Sequence, residues 1–168
     1  MIEIIAANKH DIPTIKKLAE HSWSPAFESI LSAQQIAYMM EMMYSNESLE
    51  QQMNEGHHYA IARKNNENVG YMSCEINHNQ SDKTKIHKLY ILPEHQRHGI
   101  GKALIDYATQ QALKANNNAL FLNVNKYNDK AINFYRKHHF FLAKEEVIDI
   151  GNGFVMDDYV FELTLSKG

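Results

Sequence analysis

A chain of 168 residues, 44% hydrophobic and 22% charged, has the make-up of an ordinary globule with a sizeable core, and its length suits one domain. A net charge of −3 argues against nucleic acid as the main partner, while a single cysteine excludes an internal disulfide and fits a reducing, cytoplasmic setting. No apolar run approaches the roughly 20 residues of a membrane span, and no apolar stretch follows a basic start as in a signal peptide.

The first strand reads as Ile2–Ala7. Asp11 then caps a helix with Pro13 in its first turn, where a missing N–H costs little. The stretch Trp23-Ser24-Pro25-Ala26-Phe27 breaks that pattern, because proline disfavours helix in the residue before it. Ser32-Ala33-Gln34-Gln35 has the form of a capping box and opens a methionine-rich helix reaching Tyr44. Methionines fill irregular core gaps and also suit adaptable ligand surfaces, so this face admits both readings. A short helix over 47–54 ends near Gly56, a suitable left-handed terminator. Strands follow at 58–63 and 69–76, joined by the turn cluster Asn65-Asn66-Glu67-Asn68.

The next stretch carries the chemistry. Residues 84–92 read as a strand that Pro93 ends, since proline offers no ladder donor. From Ile100, apolar residues recur at helical spacing through Ala103, Leu104, Tyr107, Ala108 and Ala112. Between strand and helix lies Gln96-Arg97-His98-Gly99-Ile100-Gly101-Lys102. The first amides of a helix have no helical partner, and the dipole there favours negative charge. Two glycines without Cβ atoms open the approach, and Arg97 and Lys102 add positive charge. The design is that of a phosphate cradle. It is not a P-loop, which needs four residues between its glycines, nor a dinucleotide fingerprint, which needs a third glycine where Leu104 stands.

A strand from Ala119 precedes Asn128-Asp129-Lys130-Ala131-Ile132-Asn133-Phe134-Tyr135-Arg136-Lys137-His138-His139-Phe140, a helix capped by Asn128. The chain then reads as a hairpin, 141–150 and 154–165, turning at Gly151-Asn152-Gly153.

The Gln-x-x-Gly-x-Gly loop resembles the pyrophosphate loop of the GCN5-related N-acetyltransferases (GNAT). The segment from Asn128 resembles the same family's Asn-x-x-Ala-x-x-Phe-Tyr-x-Lys-x-Gly-Phe, with His139 in place of the glycine. The resemblance implies an α+β fold: a mixed, mostly antiparallel sheet of six to seven strands, flanked by helices, with splayed central strands. It implies acetyl-CoA as cosubstrate. Leu89, Tyr90 and Ile91 should run beside its pantetheine arm. Gln96, Arg97, His98, Gly99, Ile100, Gly101 and Lys102 should hold its pyrophosphate, and Asn128 should touch it as well. Tyr135 matches the general acid that protonates the departing thiolate.

The acceptor is implied to be a primary amine. An alkylamine of lysine-like pKa is neutral about once in ~2,500 molecules at pH 7, a penalty of roughly 4.6 kcal/mol, so a base is needed. One branch of the family, acting on a ribosomal protein, has a glutamate where Asn123 stands here, and asparagine cannot take a proton. Glu75 is the first alternative and His87 the second. Trp23, Phe27, Tyr38 and Met42 are candidates for the acceptor side. Trp23, the methionine-rich helix and the run Tyr44-Ser45-Asn46-Glu47-Ser48 loosely resemble bacterial polyamine N-acetyltransferases. A small amine or polyamine is therefore the favoured acceptor, with Glu28, Glu41, Glu47 and Glu75 as sources of negative charge. A peptide N-terminal amine is the runner-up, and a non-catalytic acyl-CoA-binding module a third reading. The expected state is a monomer or homodimer. Ten histidines invite a metal, but His57-His58 and His138-His139 are adjacent and point apart, and no His-Glu-x-x-His motif exists, so no metal is expected.

Overall fold

A computed structural model describes residues 1–165. In chain order the elements are β1 (Ile2–Ala7), α1 (Ile12–Phe27), α2 (Ala33–Tyr44), α3 (Asn46–Asn54), β2 (His58–Lys64), β3 (Glu67–Glu75), β4 (Lys83–Ile91), α4 (Ile100–Lys114), β5 (Ala119–Asn125), α5 (Asp129–Lys137), β6 (Phe141–Gly151) and β7 (Phe154–Thr164). The strands form one sheet in the order β1-β2-β3-β4-β5-β7-β6. Every pairing is antiparallel except that of β4 with β5.

That exception makes the site. The two parallel strands pair only at Lys83 with Ala119, Thr84 with Leu120 and Lys85 with Phe121. Beyond Lys85 they part, although β4 continues to Ile91 and β5 to Asn125. A second irregularity lies just past this point. Ser73 pairs with Lys88 and Cys74 with Ile86, which leaves His87 as the extra residue of a β-bulge. No opposing residue on β3 pairs with it.

Each face of the sheet has its own core. One face carries α4 and α5 on Leu104, Ile105, Ala108, Leu120, Leu122 and Phe161. The other carries α1–α3 on Ile15, Leu18, Trp23, Leu49, Ile61 and Tyr71. A side chain of this size contributes about 1.5–3 kcal/mol when fully buried. That driving force explains a departure from the sequence reading. α1 does not stop before Pro25 but runs through it to Phe27. Proline here sits in the last turn, so little of the helical hydrogen bonding lies beyond it. In return Trp23 and Phe27 pack against each other, tilted at 49° with ring centroids 4.8 Å apart, and both bury. The Ser32 cap forms only half a capping box. Its hydroxyl accepts from the Gln35 amide at 3.1 Å, while the Gln35 side chain reaches across to the Val155 carbonyl at 2.8 Å.

Candidate active site

Where β4 and β5 part, a cleft of about 70 Å³ opens. Its β4 wall carries His87, Leu89 and Tyr90, and its β5 wall carries Asn123 and Asn125. Asn128 and Tyr135 close it from α5, and Phe27 from α1. Of the residues expected from sequence, it therefore gathers Leu89, Tyr90, Asn128, Tyr135, Phe27 and His87. A larger hollow of about 600 Å³ lies at the other edge, against β1 and the start of β2, and holds none of these residues.

The loop into α4 turns twice into left-handed backbone, at Arg97 (φ 68°) and Gly99 (φ 82°). The first bond of the helix runs from the Ala103 amide to the Gly99 carbonyl at 3.1 Å, so the amides ahead of it have no helical acceptor. A Cβ built on Gly99 meets nothing within 4 Å, which leaves the mouth of the helix open to an anion. Gly101 differs. Its Cβ would lie 2.6 Å from Phe134 Cζ, so this glycine admits the α5 ring against α4 rather than a ligand. The Gln96 side chain braces the loop, donating to the Ile91 carbonyl at 3.3 Å. Arg97 and His98 are exposed. Lys102 is paired with Asp106 at 2.8 Å, one helical turn on.

On α5, Asn128 serves as cap, its side-chain oxygen accepting from the Ala131 amide at 3.2 Å. Tyr135 is buried between Phe134 and Phe140. Burial pushes its phenol well above the ordinary value, so it stays protonated at neutral pH. His139 adopts φ 72°, which explains why a glycine suits that place in the motif.

The candidate bases form one cluster. Glu75 Oε1 receives His87 Nε2 at 2.9 Å and His78 Nδ1 at 2.9 Å, with His57 Nε2 at 3.5 Å. Burial alone would raise the Glu75 carboxyl, but the hydrogen bonds from His78 and His87 outweigh it and hold it below the usual value. Burial pushes His87 below the ordinary histidine range, so its ring is neutral at physiological pH. The bond to Glu75 assigns the proton of that neutral ring to Nε2 and leaves the Nδ1 lone pair available. Donor atoms of His57, Glu75 and His87 lie within 4.8 Å of one another, a spacing that the histidine doublets did not suggest. N–H···O hydrogen bonds to Glu75 account for the closeness of His78 and His87. Glu75 itself stands behind His87 rather than on the cleft wall.

The remaining acceptor-side candidates have separate surroundings. Trp23 is 1% exposed and donates its indole N–H to the Tyr44 hydroxyl at 2.9 Å, so it packs behind Tyr90 rather than lining the cleft. Tyr38 donates to the Ile150 carbonyl at 2.6 Å and so ties α2 to the β6–β7 hairpin. Met42 lies exposed on α2. Sequence reasoning passed over two groups. Asp158 is a buried carboxylate on β7, linked through Asn123 to Glu146. Lys88 is a buried amine next to the bulge. The signal for the first was present: Asp157-Asp158 is a carboxylate pair inside an otherwise apolar strand pattern.

A sheet parted between two parallel strands, with open amides at the mouth of the following helix, is the architecture expected of an N-acetyltransferase. The profile of the Acetyltransferase (GNAT) family matches residues 16–140, and the chain belongs to that family. It is 20% identical over 157 residues to an uncharacterised N-acetyltransferase in the pepI 3′ region of Lactobacillus delbrueckii subsp. lactis, covering 90% of this chain and 91% of that one. Its fold is similar to that of the PaiA N-acetyltransferase from Thermoplasma acidophilum in complex with coenzyme A, with TM-score 0.81, 24% identity, and 98% and 99% of the two chains covered. It is also similar to mutant forms of the spermidine/spermine N-acetyltransferase SpeG from Vibrio cholerae, with TM-score 0.68, 21% identity, and 97% and 93% covered. No helix among the described residues is long and apolar enough to cross a membrane.

Proposed function

We propose that this N-acetyltransferase moves the acetyl group of acetyl-CoA to a small primary amine, a polyamine in particular, by direct attack within the β4–β5 cleft. The observation that carries the reading is the meeting of Tyr135 and His87, an acid and a base of opposite protonation, in one opening between parted strands. The cosubstrate fits the residues present. The unfilled space over Gly99 and the partnerless amides at the start of α4 suit a diphosphate, and the unpaired stretch of β4 offers main-chain groups to an amide-bearing arm. The thioester supplies an electrophilic carbonyl carbon.

The chain's own groups would then act as follows. His87 takes a proton from the acceptor's ammonium through Nδ1, directly or by way of a water, and Glu75 stabilises the resulting imidazolium. The freed amine forms the C–N bond as the C–S bond breaks. Tyr135 gives its proton to the leaving sulfur, and the surplus proton on the new amide nitrogen passes, by way of water, to the phenolate this leaves. Phe27, Tyr90 and the other aromatic groups of this wall exclude water. A small acceptor is favoured because α2 and the β6–β7 hairpin are bound together across this face, through Tyr38 to Ile150 and Gln35 to Val155. A polyamine is favoured by the carboxylates of Glu75, Glu146 and Asp158 beside the cleft, and by the fold shared with SpeG. The lone, buried Cys74 fits action in the cytoplasm.

Acetyl-CoA consumption measured over polyamines, amino acids, aminosugars and short peptides tests the reading. Thiol release is expected with diamines and polyamines; release with peptides alone would replace the acceptor, and release with none would end the proposal. Tyr135→Phe is expected to lower turnover about 10²-fold or more while leaving acetyl-CoA affinity unchanged. Equal turnover removes Tyr135 as the acid.

A further inference from the structure

We infer that Asp158, held by Asn123, is the residue that selects a cationic acceptor over a neutral one. The inference rests on the acetyl-transfer reading and adds to it a source of charge selectivity separate from the Glu75–His87 pair.

Asp158 lies on β7, opposite Asn125 of β5 and Glu146 of β6. It is 1% exposed. Its Oδ2 accepts from Asn123 Nδ2 at 3.2 Å, and the same amide nitrogen donates to Glu146 Oε1 at 2.7 Å. Ionised carboxylates only accept, so the orientation of the Asn123 amide is fixed: nitrogen toward the acids. Asn123 and Asn125 both line the cleft. The carboxylate thus sits directly behind the β5 wall, connected to it by a hydrogen bond and a strand pairing.

No salt bridge reaches Asp158 among the described residues. Lys85 stands among Glu146, Glu75 and Asp158, and of these Glu146 is paired with Lys144 at 3.7 Å and Glu75 with its histidines, which leaves Asp158 the carboxylate with only the Asn123 amide as partner. Burying a carboxylate with only a neutral donor is costly, and a cation brought alongside relieves that cost. Burial pushes the Asp158 carboxyl up. An alkylammonium entering between β4 and β5 meets this charge at the wide end of the cleft, beside Asn123 and Asn125 at the close of β5. An acceptor without charge gains nothing from it.

The experiment compares two nucleophiles: 1,4-diaminobutane, cationic at assay pH, and hydroxylamine, neutral there. In Asp158→Asn, kcat/KM for the diamine is expected to fall about tenfold or more relative to that for hydroxylamine, each tenfold being 1.4 kcal/mol of selectivity. The fall should lie in KM, with acetyl-CoA affinity unchanged by calorimetry. A purely structural role would depress both nucleophiles by the same factor, and that result overturns the inference, as does an unaltered diamine KM. Should Asp158→Asn fail to fold, Asn123→Ala carries the test: without its tether the carboxylate loses its position and the same ratio falls, whereas an unchanged ratio overturns the inference. If the unaltered enzyme acetylates no amine, the proposed function falls and this inference with it. If it acetylates the diamine and Asp158→Asn keeps the ratio, this inference alone falls.

Discussion

The two halves of the cleft are built on different principles. The half proposed to take the acyl donor consists of main-chain groups: the unpaired end of β4, the loop of Arg97 to Gly99 and the first amides of α4, with α5 packed beside them. The acceptor half consists of side chains brought together from distant strands and helices. Its hydrogen bonds join Glu75 to His87, Asn123 to Asp158, Tyr38 to Ile150 and Gln35 to Val155, across 12, 35, 112 and 120 residues. Main-chain sites depend on local dihedral angles, which a short run of residue types can specify. Side-chain sites depend on sheet register, which no short run specifies.

The largest expected effect breaks the donor half alone. Gly99→Glu puts bulk and negative charge where a diphosphate would lie, and detectable acetyl-CoA binding by calorimetry should vanish. The fold should survive, because a Cβ there meets nothing within 4 Å. The left-handed backbone adds a penalty of about 1–2 kcal/mol. Unchanged affinity would remove the loop from the site. A smaller effect tests the acceptor half. Glu75→Gln takes away the carboxylate that stabilises a protonated His87, and turnover should fall about tenfold. Glu75 raises the His87 pKa against the lowering by burial. Its loss must therefore shift the acid limb of the pH–rate profile to lower pH, and a limb that stays in place excludes the pair as the base.

The same contrast explains what could be read from the sequence. The hairpin turn was legible because Gly151, Asn152 and Gly153 all take positive φ, at 90°, 54° and 79°. Asn128 was legible because a cap acts on an amide three residues away. The motif does not distinguish the two glycines of the loop: a Cβ at Gly99 would meet open space, one at Gly101 would meet Phe134. The bulge at His87 was not legible, since it exists only in relation to the partner strand β3. Of the two candidate bases, His87 lines the cleft and Glu75 stands behind it, hydrogen-bonded to its Nε2. Asn123 by itself looked like a lost base. Only the β5–β7 register shows it holding two acids. The end of α1 was not legible either: local proline chemistry favours a stop before Pro25, and the burial of Trp23 and Phe27 carries the helix through it.

The smallest expected effect concerns the residue that fastens β4 to the α2–α3 corner. Lys88 follows the bulge on β4, is 4% exposed, and points under the α2–α3 corner. Its ammonium donates to the Met43 carbonyl at 3.1 Å, Gln52 Oε1 at 2.9 Å and the Tyr59 hydroxyl at 2.6 Å, and lies 4.2 Å from the centre of the Tyr44 ring. Tyr59 in turn donates to Gln52. All these partners are neutral, and burial pushes the Lys88 pKa down to about 7. The folded value is therefore lower than the unfolded one, which is near 10.4. Between the two, the unfolded chain binds a proton that the folded chain does not. Stability must rise with pH across that window, by at most about 1.4 kcal/mol per unit. The melting temperature is accordingly expected to climb from pH 7 to pH 9, and Lys88→Met, which has no proton to bind in either state, should flatten that climb. Equal slopes in the two proteins would mean that the amine keeps its proton in the fold. The α2–α3 corner would then be held to the strand by a permanent charge with neutral partners.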